Sequence, residues 1–384
     1  MNDDGRSRPV VIVDDDEPAA KRIRLDKAVM PTPKPTPTMT FDNKGDLHLV
    51  VGGDIRAGDP STFLVCSKAL ARASPVFDKM LFGPFAESRS SIESSKQHSV
   101  WIVHLPEDEP AHFEVVLNIL HCNFKEVPKD LPFPLLSGMV AVADKYDCIE
   151  IFRPWIDSCI PDIELEDVYE AKLALHIAWH LGCIPTFREA LLVITEQSFI
   201  SEDGQIFIFP KAFPNLNEDG EEIAAEPQSL DKYLGDLIPL EAVDQIKDHR
   251  AKVVLEIMKP FVTLHDDLAN GCRRCPTPDD QNECDNMLLG SLIRSFRQTT
   301  LREPSKDAVQ QYRGSVIDLE DNLDGVKLMT LRSHDRFSEC HKDLQKRRMT
   351  MRNFESICKR SIAVVLLPQQ EEHLERQAVK SGRM

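Results

Sequence analysis

The stretches that decide the fold are GDLHLVVGG at residues 45–53, FLVCSKALARASPVFDKMLFGPFAES at 63–88 and VWIVHLPEDEPAHFEVVLNILH at 100–121. The apolar run at 47–51 ends on the turn-forming pair Gly52-Gly53, and residues 62–66 form a second apolar run. Short apolar runs bounded by turn residues predict strands, and these two predict a hairpin. Residues 100–105 predict a third strand.

Helices are predicted between and after these strands. Residues 67–72 predict a short helix. Ser74 with Pro75 predicts the start of a second one, because serine caps a helix N-terminus and proline fits the first turn. Apolar residues at helical spacing predict further helices at about 113–120, 136–143, 149–160 with Pro154 in its first turn, 168–181, 187–196, 240–258, 287–298 and 332–359. A loop is predicted around 213–228, and strands followed by a long helical run indicate an α+β fold.

Together the three stretches resemble the BTB/POZ family, in the variant typical of filamentous-fungal BTB proteins. The most specific block is Ser74-Pro75-Val76-Phe77 with Met80-Leu81. The resemblance implies a BTB/POZ domain at 41–161, which is a small sheet capped by helices, followed by a mostly α-helical annex at 162–384. It also implies that the chain holds protein partners together through this domain and is not an enzyme.

The resemblance further implies dimerisation, as a homodimer or a heterodimer, with Asp46 and Cys66 at the interface. Asp46 matches the acidic residue common at the start of the family's first strand. Cys66-Ser67 stands where many members have a histidine followed by a basic residue, in a neighbourhood that forms a charged pocket at the dimer interface. Asp46 would then need another basic partner, for which Arg72 and Lys68 are the candidates.

Phe85-Ala86-Glu87 matches the hydrophobic-x-Glu motif that cullin-adaptor members of the family carry. An exposed aromatic anchor beside a charged rim residue is how a small interface concentrates its affinity. The hypothesis is that Phe85 and Glu87 bind a cullin, which would make the chain a substrate adaptor of a cullin-type E3 ubiquitin ligase. The alternative is that Phe85 packs against Phe82 and that Glu87 is a solvated charge.

Residues 1–40 lack hydrophobic periodicity and end in a proline-rich run, so they predict a disordered arm. Within the arm, an apolar tetrad precedes an acidic run: Val10, Val11, Ile12, Val13, Asp14, Asp15, Asp16 and Glu17. This pattern resembles a SUMO-interaction motif, in which a β-branched segment adds to a sheet edge on SUMO while the acids meet basic side chains. The alternative is a chance apolar tetrad in an acidic tail.

The segment PAAKRIRLD at 18–26 is similar to a monopartite nuclear-localisation signal. Importin reads such a peptide in extended form, and Lys21, Arg22 and Arg24 would be its anchors. A solvated basic cluster is the alternative. The favoured prediction is localisation in the nucleus, with the cytoplasm as a second location.

Cys272, Cys275 and Cys284 are candidate metal ligands, because a C-x2-C pair places two thiolates on one metal and tetrahedral zinc takes four ligands. The fourth ligand could be His265, Cys340 or His341. Three buried thiols without metal are the alternative, so no cofactor is predicted apart from this structural zinc. His176 and His180 lie four apart on a predicted helix, but their apolar surroundings favour packed or capped histidines.

Composition narrows the function classes further. The 384 residues carry a formal net charge of -17, which opposes binding to phosphate backbones, so direct nucleic-acid binding is not predicted. The ten cysteines are scattered, and no run approaches about eighteen apolar residues, which predicts an intracellular protein with reduced thiols and no membrane span. No P-loop, G-x-S-x-G or G-x-G-x-x-G motif is present. The basic run at 342–348 is interpreted as a solvated helix face or the partner of acidic neighbours, and the alternatives are a second import signal and a small nucleic-acid contact.

Overall fold

The computed structural model describes residues 36–54, 60–94, 100–156, 165, 167–210, 215–216, 222–223, 226–235, 241–271, 275, 279–301, 303–329, 331 and 364–384. Several predictions from the sequence fall outside these ranges: the SUMO-type residues 10–16, the import-type residues 21–24, Cys272, and the helix at 332–359 with its basic run. These remain predictions.

A four-stranded sheet contains the predicted hairpin. Its strands are β1 (Met39–Thr40), β2 (Leu47–Val51), β3 (Ser61–Val65) and β4 (Ile102–Leu105), in the order β1-β3-β2-β4. β2 is antiparallel to β3 and parallel to β4, while β1 is parallel to β3. Leu47, Leu49 and Val51 are fully buried, as expected when alternate residues of a strand face one core. The three predicted strands are confirmed.

Helices lie between and after these strands, and most of them pack with the sheet in one hydrophobic core. They are α1 (Ser67–Ala73), α2 (Pro75–Phe82), α3 (Arg89–Ser94), α4 (Pro110–Leu120) and α5 (Phe133–Lys145), with 3₁₀ helices at Phe124–Glu126 and Ile149–Trp155. The Ser74 side chain accepts a hydrogen bond from the Phe77 amide (2.9 Å), which confirms the predicted cap of α2. Pro154 lies near the end of its 3₁₀ helix rather than in the first turn of an α-helix, so that prediction is wrong. Proline lacks the N–H that a longer α-helix would need there.

The C-terminal region is mostly helical and also holds five short strands. Its elements are α6 (Val168–Leu181), α7 (Ile184–Gln197), β5 (Phe199–Ile200), β6 (Ile206–Ile208), β7 (Asn215–Leu216), β8 (Glu222–Ile223), β9 (Gln228–Ser229), α8 (Leu230–Leu234), α9 (Glu241–Ala269), α10 (Gln281–Arg297), α11 (Lys306–Gln311), α12 (Val316–Asp324) and α13 (Pro368–Ser381). β5, β6 and β9 form one small sheet. β7 and β8 pair within the segment predicted as a loop, so the prediction is corrected there. The loop was predicted from the turn-forming residues that lie between these two strands in the sequence.

Two hydrophobic cores are connected by α9. Ala242 and Ile246 belong to the first core, with the four-stranded sheet, α6 and α7, whereas the residues from Val253 onward belong to the second, with α10 to α12. Buried Arg250 lies between the two sets and donates hydrogen bonds to the carbonyl oxygens of Ser198 and Gly314. α9 continues to Ala269, past the predicted end at 258 and through Pro260, because its packing in the second core outweighs the local cost of proline.

The protein therefore has a mixed α+β fold with a helical C-terminal region. Within the described residues, every helix is too short or too polar to cross a bilayer. The first core includes residues on both sides of position 161, so the sheet-containing part and α6–α7 are packed together.

Candidate functional site

The cullin-type residues lie in the turn between α2 and α3, at 83–88, which we call the α2–α3 turn. α2 ends at Phe82, and the amide of the following Gly83 donates to the Lys79 carbonyl (2.8 Å). A Cβ at Gly83 would collide with that oxygen. Pro84 follows and has no amide hydrogen to continue the helix. The local sequence therefore places the turn at this point.

The backbone of the α2–α3 turn is held at two carbonyl groups. The Phe85 carbonyl accepts from the Ser88 amide (3.1 Å) and the Ser91 hydroxyl (2.8 Å). The Glu87 carbonyl accepts from the Trp101 indole N–H (2.8 Å). The side chains of both residues face solvent, with Phe85 50% exposed. A fixed backbone carrying exposed side chains reduces the entropy lost when a partner binds.

Trp101 forms the base of this surface. The Phe82 ring packs edge-on against it with centroids 5.9 Å apart, and the Arg89 guanidinium lies 5.7 Å from the same ring centroid. The sequence alternative had paired Phe85 with Phe82, but Phe82 makes its ring contact with Trp101. The outer face of the turn thus presents Phe82 and Phe85 beside the charges of Glu87 and Arg89.

Asp46 lies at the start of β2 and pairs with Arg89, not with Arg72 or Lys68. Its carboxylate accepts from the Ser67 amide (2.9 Å) and hydroxyl (2.8 Å), and Arg89 Nη1 lies 3.1 Å away. The expected partners are therefore corrected. Asp46 caps the N-terminus of α1, whereas Arg72 lies in the last turn of that helix and donates to the Lys68 carbonyl.

Cys66, the other residue expected at a dimer interface, is half-buried and bonds through its backbone. Its amide donates to Nε2 of His121 (3.0 Å), and Nδ1 of the same ring lies 2.9 Å from the Leu117 carbonyl. This arrangement requires a neutral imidazole with its proton on Nδ1, and burial lowers the pKa of His121 accordingly. Dimerisation through Asp46 and Cys66 remains a prediction.

His176 and His180 lie on α6 with ring centroids 4.7 Å apart. His176 Nδ1 is 2.9 Å from the Ser137 hydroxyl, beside a cavity of about 520 Å³, and His180 Nδ1 is 3.1 Å from an Asp144 carboxylate oxygen. Burial, together with His180, lowers the pKa of His176 to about 4. An imidazole with such a low pKa is a poor general base at neutral pH. The contacts agree with the interpretation of these residues as packed histidines.

Cys275 and Cys284 are brought together by the fold. Both are buried in a small cluster with Leu331, the Cys275 amide donates to Asp285 (3.0 Å), and the Gln281 side chain donates to the Cys275 carbonyl (2.8 Å). Cys272, Cys340 and His341 lie outside the described residues, and His265 is 3.3 Å from Asp266. Within the described residues, no three His, Cys, Asp or Glu side chains are placed to hold a metal. Zinc remains a prediction.

Sequence patterns missed α13, which docks on the first core. Leu374 and Ala378 are its buried apolar residues, whereas Gln370, Gln377 and Ser381 fill the rest of the buried face. A face this polar gives no apolar periodicity. The signals available in the sequence were Pro368 and Gly382. In the structure, Pro368 occupies the first helical position, and Gly382 adopts the left-handed conformation (φ 85°) just past the end of the helix.

Contacts with three other parts of the chain hold the C-terminal end of α13. Arg153 of the 3₁₀ helix donates to the carbonyls of Val379 (2.9 Å) and Lys380 (3.1 Å), which have no partner within the helix. The Ser381 hydroxyl donates to the Leu181 carbonyl at the end of α6 (2.7 Å), and Lys380 pairs with Asp147 (3.2 Å). The docked helix contacts both α6 and the 3₁₀ helix.

The chain was compared with models of known protein families and with curated proteins. It matches none of the family models and none of the curated proteins. What can be proposed about its function therefore depends on its own residues.

Proposed function

We propose that this chain is a protein-interaction adaptor built on a BTB/POZ domain at 41–161, which acts in the nucleus and recruits partners that include SUMO-modified proteins. The observation that carries the proposal is the element order β2-β3-α1-α2-β4 followed by α4 and α5. This is the order that the resemblance implies for the stretches at 45–121, with α3 as an addition before β4. The exposed face of the α2–α3 turn supports a role in binding proteins.

The arm supports recruitment and import as separate steps. Residues 10–13 would add as a strand to the edge of the SUMO sheet, and Asp14, Asp15 and Asp16 would meet basic side chains beside that edge. Lys21, Arg22 and Arg24 would bind importin. The two motifs are adjacent but use different chemistry, so each can be removed without changing the other.

Changing both Ile12 and Val13 to alanine in the full chain is expected to weaken SUMO binding at least tenfold. The two side chains are the apolar anchors of the added strand, and an anchor residue typically contributes about 1 kcal/mol or more. Titration of fluorescently labelled SUMO measures the affinity. The matched control is Lys21→Ala with Arg22→Ala, which should keep SUMO binding and lose nuclear import. No SUMO binding by the unmodified chain would remove recruitment from the proposal.

A second candidate function is that of a substrate adaptor of a cullin-type ubiquitin ligase. The observation that favours it is the exposed Phe85 side chain on a turn whose backbone is fixed by Trp101 and Ser91. An exposed aromatic residue on a rigid turn fits the role of an anchor, and Glu87 supplies the charged rim.

Phe85→Ala and Glu87→Ala are each expected to reduce capture by a cullin N-terminal domain, with Phe85→Ala causing at least a tenfold loss. A pull-down with the purified full-length chain measures this. Phe209→Ala is the matched control, because Phe209 is also about half exposed but lies after β6, outside the α2–α3 turn. Binding that is unchanged in both variants would argue against the motif, and no capture of the unmodified chain would exclude the ligase function.

A further inference from the structure

The interface between α13 and α6 holds a stacked histidine. The His373 ring of α13 lies on the Trp179 ring of α6, with centroids 3.8 Å apart and planes 11° from parallel. One turn along α13, the Arg376 guanidinium lies 3.4 Å from Nδ1 of His373. His373 is half-buried and contacts α6 at Trp179, in the last turn of that helix.

The hydrogen bond with Arg376 requires His373 to be neutral. A guanidinium can only donate, so Nδ1 of His373 must accept and cannot carry a proton. The ring proton is then on Nε2, which is buried and, within the part of the chain that the structure describes, has no acceptor in good hydrogen-bond geometry. The Trp179 backbone interacts with the ring and favours a proton there, but this effect is smaller than those of burial and of Arg376. A second proton would place an N–H against the guanidinium of Arg376.

The charges that face His373 come from every element packed around it. They are Arg376 on α13 and His180 on α6, which oppose a proton on His373, and Asp144 on α5, which favours one. His176 and Lys172 lie further along α6, and the Arg188–Glu371 and Lys380–Asp147 ion pairs join other points of α13 to its neighbours. The carboxylate of Asp144, which favours a proton on His373, already pairs with His180 at 3.1 Å. A protonated His373 would therefore add positive charge to a site whose carboxylates are engaged.

We propose that α13 is a proton-sensitive latch, which docks on α6 and the 3₁₀ helix while His373 is neutral and is released when His373 takes up a proton. Release would uncover Trp179, the C-terminal end of α6 and the Arg153 guanidinium. The latch does not depend on the proposed function. The surface beneath α13 would then be covered at neutral pH and more exposed at lower pH.

The direction of the pH effect follows from linkage. Burial, and then Arg376, lowers the pKa of His373 in the docked state below its ordinary value of 6.5. The undocked helix therefore binds the proton more tightly, so docking is strongest well above pH 6.5 and weakens as the pH falls through and below that value. For one histidine, the fraction of undocked α13 should rise up to about tenfold between pH 7.5 and 5.5.

Hydrogen exchange of the full chain, read by mass spectrometry and corrected for the chemical exchange rate, tests the latch. Peptides from 368–381 are expected to lose protection up to about tenfold between pH 7.5 and 5.5, while peptides from α7 are unchanged. His373→Phe keeps a ring to stack on Trp179 but cannot titrate, so its α13 protection should be the same at both pH values. His104→Gln removes an exposed histidine of β4 and should behave as the unmodified chain.

Two results would overturn the latch. One is α13 protection in the unmodified chain that is the same at both pH values, and the other is an equal loss of protection in His373→Phe. If His373→Phe does not fold, His373→Gln serves in its place, because its side-chain oxygen can still accept from Arg376. An NMR titration of His373 in the unmodified chain with a midpoint at or above 6.5 would also reject the proposal.

Discussion

Replacing Phe77 with alanine is expected to lower the free energy of unfolding by about 3 to 5 kcal/mol, the cost typical of emptying a buried aromatic site. Phe77 is 1% exposed and lies at the centre of an aromatic cluster. Its ring stacks on Tyr146 with centroids 4.3 Å apart and meets Phe113 edge-on at 6.3 Å. The substitution removes both contacts and leaves a cavity between α2, α4 and α5, where the surrounding helices can close only in part.

Phe82→Ala is the matched control for this prediction, because Phe82 is on the same helix but 43% exposed. It loses one edge-on contact with Trp101, and its cost should be about 1 kcal/mol. Urea unfolding followed by circular dichroism measures both variants against the unmodified chain. Equal losses would contradict the assignment of Phe77 to the buried side of α2 and Phe82 to the outer side.

Features fixed by neighbouring residues could be predicted from the sequence. Ser74 and Pro75 determine where α2 begins, and Gly83 and Pro84 determine where it ends, since caps and breakers act within one turn. The strand at Leu47–Val51 was visible because its apolar run ends on the turn-forming residues that follow it. The location of Phe85 in an exposed turn follows from the same local signals.

Features that depend on distant residues could not be predicted. Asp46 pairs with Arg89, 43 positions along the chain, and no local pattern distinguishes Arg89 from Arg72. The indole of Trp101, the residue before β4, holds the Glu87 carbonyl from 14 positions along the chain. The sheet of β5, β6 and β9 has strands of two or three residues, too short for an alternation to be recognised.

α13 is an intermediate case. The signals for its two ends were present in the sequence, but its buried face carries glutamine and serine beside Leu374 and Ala378. These residues pack closely here because a glycine stands at the end of the partner helix α6. Gly182 ends α6 with a left-handed backbone (φ 72°), and its missing side chain lets α13 approach closely. In the sequence, a glycine at the end of a helix indicates only a helix cap. Its second role, which is to let α13 approach closely, can be recognised only from the structure.

Gly182→Ala is therefore expected to undock α13 and to destabilise the chain by more than the conformational cost alone. A Cβ at Gly182 would collide with the backbone nitrogen and Cα of Ala378 and with the carbonyl oxygen of Leu374. Backbone atoms of a helix cannot move aside individually, so α13 must shift as a unit. That shift breaks the hydrogen bond of Ser381 to the Leu181 carbonyl, which lies beside the substituted residue. Protection of 368–381 against hydrogen exchange should fall at pH 7.5 as well as at pH 5.5.

Gly204→Ala separates the collision from the backbone strain. Gly204 also has a positive φ (82°), but a Cβ there meets no atom within 4 Å. Its cost should be about 1 to 2 kcal/mol for alanine in the left-handed region, with α13 protection unchanged. If Gly182→Ala costs no more than Gly204→Ala and leaves α13 protected, the close approach of the two helices does not contribute to docking. If α13 loses protection only in Gly182→Ala, and equally at both pH values, this contact acts independently of the charge on His373.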